Sequence, residues 1–316
     1  TIARLVTGRR KIMTRYRSYH GTTSGALSAS GDPRRVAVGY EHPNVVRIFD
    51  PYCHRCSFKL SYPECGVQCA SSVEEVIQRE GPGQIAALLA EPMTAAAGGI
   101  APPPEYFPML REICDRYGIL LIADEVITGF GRTGVLFALQ HWGIEPDIVQ
   151  FAKAVTSGYV PFGGIGINDT IAATLDEDGR VWMHAYTYSA HPVGCAVALR
   201  NLRIIEEEDL PGQCATKGHR LLEALKASLA DHPHVGDIRG KGLMCAVELV
   251  ADRGTRESFP AGDKVGPRVL QEAVRRGLFS RTKADTYLLA PAAVITEQQL
   301  DQSVDILTDS IQAVLG

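Results

Sequence analysis

The sequence lacks any apolar run that approaches the ~20 residues a membrane-spanning helix needs. It also lacks internal repeats and low-complexity linkers, which argues against a repeat architecture. A formal net charge of only −4 gives no electrostatic reason to expect nucleic acid or an anionic membrane as a partner. Eight cysteines among 316 residues are too few for a disulfide scaffold. We therefore expect a cytoplasmic protein with neither a membrane nor a nucleic-acid partner.

The composition is otherwise that of a globular protein, with 45% hydrophobic and 22% charged residues. A chain of 316 residues is long enough for two domains. The alternation of strand-like and helix-like segments changes near residue 210. This change predicts a large domain over 1–209 and a small domain over 210–316. Because the chain opens at Thr1 with residues that resemble the end of a helix, we expect the N-terminal part of the large domain to be absent.

Strands and helices alternate through the first two thirds of the sequence. Residues 85–90, 119–123 and 147–152 are strand-like runs, and a helix is predicted between the first two, over 105–117. Another helix is predicted after a possible capping box at Ser72. Short links of this kind imply right-handed parallel crossovers in an α/β fold with a mostly parallel central sheet flanked by helices. Ligands of such sheets bind outside the carboxyl ends of the strands.

The last third of the sequence has a different order of predicted helices and strands. A leucine-rich helix near residues 221–229 precedes a strand over 242–249 and a helix over 264–276. A second capping box, Thr296 to Gln299, opens a final amphipathic helix. These elements predict a smaller α+β domain at the C-terminus.

Three polar residues come directly after the apolar runs of the large domain: Glu91, Asp124 and Lys153. An acid and an amine at the ends of buried strands suit pyridoxal 5′-phosphate (PLP). The lysine would hold the cofactor aldehyde as an imine, and the carboxylate would keep the ring nitrogen protonated. Lysine suits this role because desolvation and a cationic neighbour can make its amine neutral.

The motifs around these residues resemble those of the class III, ω-amino acid:pyruvate type, aminotransferases of PLP fold type I. The most specific stretch is Asp124-Glu-Val-Ile-Thr-Gly-Phe-Gly-Arg-Thr-Gly134, which Lys153 follows after 19 residues. Four supporting motifs occur in order: Tyr19-His20-Gly21, Glu91-Pro92, Thr187-Tyr-Ser-Ala-His-Pro192 and Ala290-Pro291 with Ile295-Thr296. The resemblance covers essentially the whole chain.

The resemblance implies a role for each of these residues. Lys153 resembles the Schiff-base lysine and Asp124 the partner of the pyridine nitrogen. Val126 resembles the side chain beneath the ring and Tyr19 the aromatic group above it, which also borders the substrate. Cofactor binding is further implied for His20, Gly21 and Glu91.

Two more residues carry implied roles in assembly and specificity. A Thr at the position of Thr187 binds the cofactor phosphate of the other subunit in this family, which implies a homodimer with shared active sites. An Arg at the position of Arg281 receives the substrate carboxylate, and the planar guanidinium suits that task. The implied activity is amino transfer from an ω-amino acid or amine to pyruvate or another 2-oxo acid, both small molecules.

Other functions remain open on the same scaffold. An aminomutase, a decarboxylase or a racemase would use the same cofactor. Family members also carry an upstream Ser/Gly-rich loop and helix that form much of the phosphate site. An inactive truncated remnant is therefore a further alternative.

Two other patterns have competing interpretations. Gly129 to Gly134 spells the dinucleotide fingerprint G-x-G-x-x-G, but it does not follow a first strand tightly and does not open a predicted helix. Four cysteines fall within 17 residues, with spacings that permit a structural zinc site: Cys53, Cys56, Cys65 and Cys69. The alternative interpretation, which we favour, is a loop of reduced thiols without metal.

Overall fold

A computed structural model describes residues 1–39, 41–177 and 182–316 of the chain. These residues form two compact units. The first unit comprises Thr1–Pro92, Pro102–Phe130 and Phe137–Glu207. The second comprises Met93–Ala101, Gly131–Leu136 and Glu208–Gly316, so it includes two short segments from before residue 210.

The first unit alternates strands and helices. Its strands are β1 (Lys11–Arg15), β2 (Val45–Ile48), β3 (Ile85–Ala90), β4 (Leu120–Asp124), β5 (Ile148–Ala152) and β6 (Gly163–Ile167). Its helices are α1 (Ile2–Thr7), α2 (Ser24–Ala29), α3 (Arg34–Val38), α4 (Gln68–Glu80), α5 (Tyr106–Tyr117), α6 (Asp169–Glu177) and α7 (Pro192–Glu207).

The six strands form one sheet in the order β2-β1-β3-β4-β5-β6. The first five strands are parallel, and β6 pairs antiparallel with β5 at the edge. This confirms the predicted mostly parallel central sheet. Since β1, β3, β4 and β5 point the same way, their carboxyl ends lie along a single edge of the sheet.

Alternate residues along each strand supply two separate apolar cores. Met13, Leu88 and Leu121 pack with the buried faces of α4 and α5. The neighbouring residues Ile12 and Leu120 pack on the opposite face with α1 and α6. Helices therefore cover both faces, which explains why these strands are apolar runs rather than alternating ones.

The second unit combines helices with a smaller sheet, as expected for the predicted α+β domain, and the sheet is antiparallel. Its elements are α8 (Leu210–Leu229), β7 (Val235–Gly240), β8 (Cys245–Leu249), α9 (Val265–Arg275), β9 (Arg281–Lys283), β10 (Thr286–Leu289) and α10 (Glu297–Leu315). The strand order is β7-β8-β10-β9. Thr296 caps α10, and the Gln299 side chain completes the capping box, as predicted.

One predicted helix start was wrong. The helix α4 begins at Gln68, not after Ser72. Ala70 is fully buried and continues the stripe of Val73 and Ile77 by one turn toward the N-terminus. Burial of that extra turn therefore outweighs the local capping pattern.

Within the described ranges, no helix has both the length and the apolar character needed to cross a membrane.

Candidate active site

The candidate site begins at the sheet edge where three neighbouring parallel strands end. Glu91 follows the last residue of β3, Asp124 is the last residue of β4, and Lys153 follows the last residue of β5. Asp124 lies opposite Gln150 in the register of β4 and β5. A strand spacing of about 4.8 Å and a rise of about 3.3 Å per residue put the Asp124 and Lys153 backbones roughly 11 Å apart. A lysine side chain and one pyridine ring together can span that separation.

Asp124 is buried and held by two donors. Its Oδ2 lies 2.5 Å from Nδ1 of His20, and its Oδ1 accepts from the backbone N–H of Val126 at 3.1 Å. The side chains of His20 and Asp124 are 2% and 4% exposed. Because an ionised carboxylate only accepts, the His20 nitrogen that faces it is the donor. The carboxylate is thus fixed in orientation at the strand end.

Glu91 lies in the same buried surroundings. Its Oε1 accepts from the backbone N–H of Tyr19 at 2.9 Å, and its carbonyl oxygen accepts from the guanidinium of Arg15. Burial is the largest influence on its carboxyl and raises the pKa; the charges of His20 and Arg15 oppose this, and that of Asp124 adds to it. Glu91 therefore connects the Tyr19 segment to the end of β3.

Arg15 is a residue of this group that sequence reasoning missed. It is the last residue of β1 and is fully buried. A buried charge is costly unless polar partners surround it, so Arg15 at the end of a core strand marks a polar interior at that point. A charged residue at the end of an otherwise apolar strand was therefore the sequence signal that could have identified Arg15.

Tyr19 and Gly21 follow β1 in a loop whose shape depends on close packing. The Tyr19 ring is half-buried, and the guanidinium of Arg34 lies 4.3 Å from its centroid. Gly21 has φ 125°, and a Cβ there would lie 3.1 Å from Cβ of Ala26. Position 21 therefore needs glycine, because the backbone there has a positive φ and passes close to Ala26 of α2.

Lys153 begins a tight turn in a left-handed backbone conformation. Its φ is 47°, and Lys153–Thr156 form a short 3₁₀ helix that ends at Ser157, which has φ 50°. A left-handed conformation costs an L-residue roughly 1–2 kcal/mol. Such strain persists only where the surroundings fix it, and it is concentrated at functional sites. The turn, rather than the strand, therefore sets the direction of the exposed Lys153 side chain.

The loop after Asp124 is stabilised by Glu125, another residue that sequence reasoning did not single out. Its carboxylate accepts from the Thr128 hydroxyl and from the backbone N–H of Leu139, the latter at 3.0 Å. Burial raises the pKa of this carboxyl, while the hydrogen bonds from Thr128, Leu139 and Ala138 lower it. Glu125 thereby fixes the path of the chain directly behind the predicted cofactor-binding aspartate.

The glycine run from Gly129 to Gly134 continues as a loop. Gly131 and Gly134 have φ of 99° and 98°, and the next helical element is a short 3₁₀ helix at Ala138–Trp142. A dinucleotide fingerprint would pass directly from a strand into an α-helix. The run therefore does not have the context of a nicotinamide-binding site.

Three other predicted site residues are Val126, Thr187 and Arg281. Val126 is half-buried in the turn after Asp124. Thr187 is exposed in the described segment 182–191, before α7. Arg281 is exposed at the start of β9 in the second unit. Their roles in binding cofactor or substrate stay predictions, as do those of the group formed by Tyr19, His20, Glu91 and Asp124.

The four clustered cysteines line a small pocket in the first unit, together with Tyr52 and Tyr62. Burial raises the pKa of the Cys69 thiol to about 12, and the neighbouring Cys53 adds to the shift. Among residues 1–39, 41–177 and 182–316, no three His, Cys, Asp or Glu side chains are grouped as metal ligands would be. The zinc alternative thus gains no support from the geometry.

Comparison with known proteins assigns the family. The family model "Aminotransferase class-III" matches residues 1–311, so the chain belongs to the class III aminotransferases. A putrescine–pyruvate aminotransferase of Pseudomonas aeruginosa is 40% identical over 297 residues, which are 93% of this chain and 64% of that protein. A taurine–pyruvate aminotransferase of Bilophila wadsworthia is 39% identical over 305 residues, 93% of this chain and 66% of that protein. The chain thus spans about two thirds of the length of these curated relatives.

Solved structures show the same fold. A thermostable (S)-enantioselective ω-transaminase from Thermomicrobium roseum is 44% identical, with a TM-score of 0.94 over 100% of this chain and 72% of that one. An amine transaminase from an uncultivated Pseudomonas species, solved in a PLP-bound form, is 37% identical, with a TM-score of 0.95 over 99% of this chain and 73% of that one. The predicted PLP fold type I is confirmed.

Proposed function

We propose that this protein is a PLP-dependent aminotransferase that moves an amino group from an ω-amino acid or amine to pyruvate or another 2-oxo acid. The observation that carries the proposal is the placement of Asp124 and Lys153 at the ends of the adjacent strands β4 and β5. Their separation fits one pyridine ring between carboxylate and amine. The family of the chain supports the same activity.

The residues present fit the chemical needs of PLP. When bound, this cofactor supplies an aldehyde that condenses with amines, with loss of water, and a pyridine ring that withdraws electrons from the neighbouring carbon. Asp124 would hold the ring nitrogen as a cation through a charge-assisted hydrogen bond. His20 would keep that carboxylate in place, because it already donates to Oδ2.

Lys153 would serve in two ways. Its amine would hold the cofactor aldehyde between turnovers. As a neutral amine, Lys153 would also take or give a proton at the amine-bearing carbon of the substrate. The exposed position of Lys153 at the sheet edge gives the side chain access to incoming substrate.

The proposed substrate class follows from the relatives and from one arginine. Proteins that are similar to this chain are named for putrescine, taurine and pyruvate. We assign Arg281 to the substrate carboxylate, since its guanidinium can bind two carboxylate oxygens at once. A donor without a carboxylate would not need this contact.

We also propose a homodimer in which Thr187 contributes to the cofactor phosphate site of the partner subunit. The support is the exposure of large apolar and aromatic side chains around Thr187 in the single chain. They include Met183, Tyr186 and Tyr188, which are 90%, 72% and 78% exposed. Such a patch is unusual on a monomer and typical of an interface. A homodimer and a cytoplasmic location both stay predictions.

The half-reaction tests the activity directly. Protein loaded with PLP is mixed with putrescine, taurine or β-alanine in the absence of any acceptor. A transaminase leaves pyridoxamine phosphate, and later addition of pyruvate yields alanine; a decarboxylase, racemase or aminomutase does not transfer the amino group to pyruvate. The same assay on Lys153→Ala should give no product. Absence of pyridoxamine phosphate with every donor, or its formation by Lys153→Ala at the rate of the unsubstituted protein, would overturn the proposal.

A further inference from the structure

We infer that Asn201 on α7 is a positioning residue for Lys153: its side-chain amide holds the turn that aims the lysine amine. The inference rests on the proposed function, because it concerns the reaction of Lys153 with PLP. Asn201 lies 48 positions after Lys153 in the sequence, and no motif identifies it.

The contacts of Asn201 are concentrated on the turn. Its Nδ2 donates to the carbonyl oxygen of Ala154 at 2.7 Å and to that of Val155 at 3.1 Å. Its Oδ1 accepts from the hydroxyl of Ser157 at 2.8 Å. One side chain therefore contacts three residues of the turn that Lys153 begins.

The chemistry of these partners specifies an amide in one orientation. Carbonyl oxygens only accept, so the Ala154 and Val155 oxygens must face the nitrogen of Asn201. The Ser157 hydroxyl then donates to the remaining oxygen. An aspartate at position 201 would present oxygen to oxygen at two of the three contacts, and an aliphatic residue would make none of them.

The turn needs an external anchor because its backbone is unfavourable. Lys153 and Ser157 are both non-glycine residues with positive φ, at 47° and 50°. Within the turn itself, the Ser157 N–H donates to the Ala154 oxygen at 3.1 Å. Asn201 binds the same oxygen from outside, so it stabilises the turn against relaxation to the extended backbone that β5 would otherwise continue.

The helix that carries Asn201 is partly buried. Ala198 and Ile205 of α7 are buried, and Gly194 lies against the ring of Phe162, where a Cβ would come within 2.7 Å. A rigid helix can therefore transmit its position to the turn through the Asn201 amide. The consequence is that the reach of the Lys153 amine is set by α7 as well as by the sheet.

The test is the rate at which Lys153 bonds to added PLP. Apoprotein is mixed with PLP at several pH values, the covalent bond is reduced with borohydride, and modified Lys153 is counted by peptide mass spectrometry. We expect Asn201→Ala to slow this bond formation about ten-fold and to change its pH profile, because the amine samples other directions. Asn201→Asp should be slower still. The matched control is Arg200→Ala, an exposed neighbour on α7 whose partner is Glu207.

A purely structural role would lower the melting temperature (Tm) without changing the reaction of Lys153. The Tm of each apoprotein is therefore measured alongside. Ser157→Ala removes one of the three contacts and should slow the reaction by a smaller factor, so the inference stays testable if Asn201→Ala fails to fold. Asn201→Ala or Ser157→Ala reacting at the unsubstituted rate with an unchanged pH profile would overturn the inference alone. Failure of the unsubstituted protein to bond PLP at Lys153 would overturn the proposed function and this inference with it.

Discussion

The imidazole of His20 presents Nδ1 to Oδ2 of Asp124 at a distance of 2.5 Å, although the two residues are 104 positions apart. Nε2 of the same ring lies 3.3 Å from the Thr14 hydroxyl on β1. The imidazole therefore connects the end of β1 to the end of β4 through a rigid ring. If Asp124 holds the cofactor nitrogen, His20 fixes the geometry of that contact.

We expect His20→Gln to weaken the affinity for PLP about ten-fold, since a flexible amide cannot hold the Asp124 carboxylate as the ring does. The measurement is a titration of apoprotein with PLP followed by absorbance. His219→Gln, an exposed histidine on α8, is the control and should bind as the unsubstituted protein does. Equal affinity for PLP in His20→Gln would show that the contact has no role in cofactor binding.

The raised pKa of Glu91 makes the stability of the protein pH-dependent. Burial raises this pKa above its ordinary value of 4.5, so the folded protein binds the proton more tightly than the unfolded chain does. The stabilisation is fully present below the unfolded pKa and is lost as the pH rises through the folded pKa. Gln resembles the protonated carboxyl and avoids that loss. The Tm of Glu91→Gln relative to the unsubstituted protein should therefore increase from about pH 5 to about pH 8.

This comparison is made without added cofactor, so that only folding is measured. A difference in Tm that stays constant across the pH range would mean that Glu91 keeps an ordinary pKa in the folded protein. Glu112→Gln, an exposed substitution on α5, serves as the control for a general charge effect.

Arg281→Ala should affect substrates according to whether they carry a carboxylate. We expect KM for pyruvate to rise by about ten- to a hundred-fold, because a charge-assisted bidentate contact is lost. KM for putrescine, which has no carboxylate, should stay nearly unchanged. Steady-state kinetics with each substrate varied in turn measures this, with the exposed Arg268→Ala as the control. Equal changes for putrescine and pyruvate would rule out Arg281 as a carboxylate ligand.

Shared sites in a homodimer predict complementation between two inactive variants. Lys153→Ala lacks the amine, and Thr187→Asp places a negative charge where the partner's cofactor phosphate would bind. In a mixed dimer, one site combines an intact Lys153 with an intact Thr187. Random exchange should therefore restore roughly a quarter of the unsubstituted activity. Mixtures that stay inactive after subunit exchange, verified by differential tagging, would contradict shared sites.

The sequence alone predicted the strands and helices that have a clear local signal, such as an apolar run or a capping box. The apolar runs ending at Glu91, Asp124 and Lys153 are neighbouring strands, and the Thr296 capping box begins the last helix. In contrast, β6 was not predicted, because its Gly163-Gly-Ile-Gly-Ile167 sequence has weak strand propensity. Its glycines make room for side chains of β5: a Cβ on Gly164 would lie 2.6 Å from the Phe151 ring.

The candidate site was predictable where chemistry follows a motif and not where it depends on distant contacts. Asp124 and Lys153 are marked by strand ends and by the motif between them. Arg15 and Asn201 act through backbone carbonyls of other segments, and a carbonyl has no residue-type signature in the sequence. The carbonyl partners of Arg15 and Asn201 therefore became evident only from the folded chain.

The covalent attachment of PLP to one lysine tests the central claim most directly. The protein is incubated with PLP, reduced with borohydride and digested, and the modified peptide is sequenced by mass spectrometry. We predict a single modified peptide that carries the cofactor on Lys153, with no such peptide from Lys153→Ala. Attachment at another lysine with Lys153 unmodified, or no attachment at saturating PLP, would contradict the account.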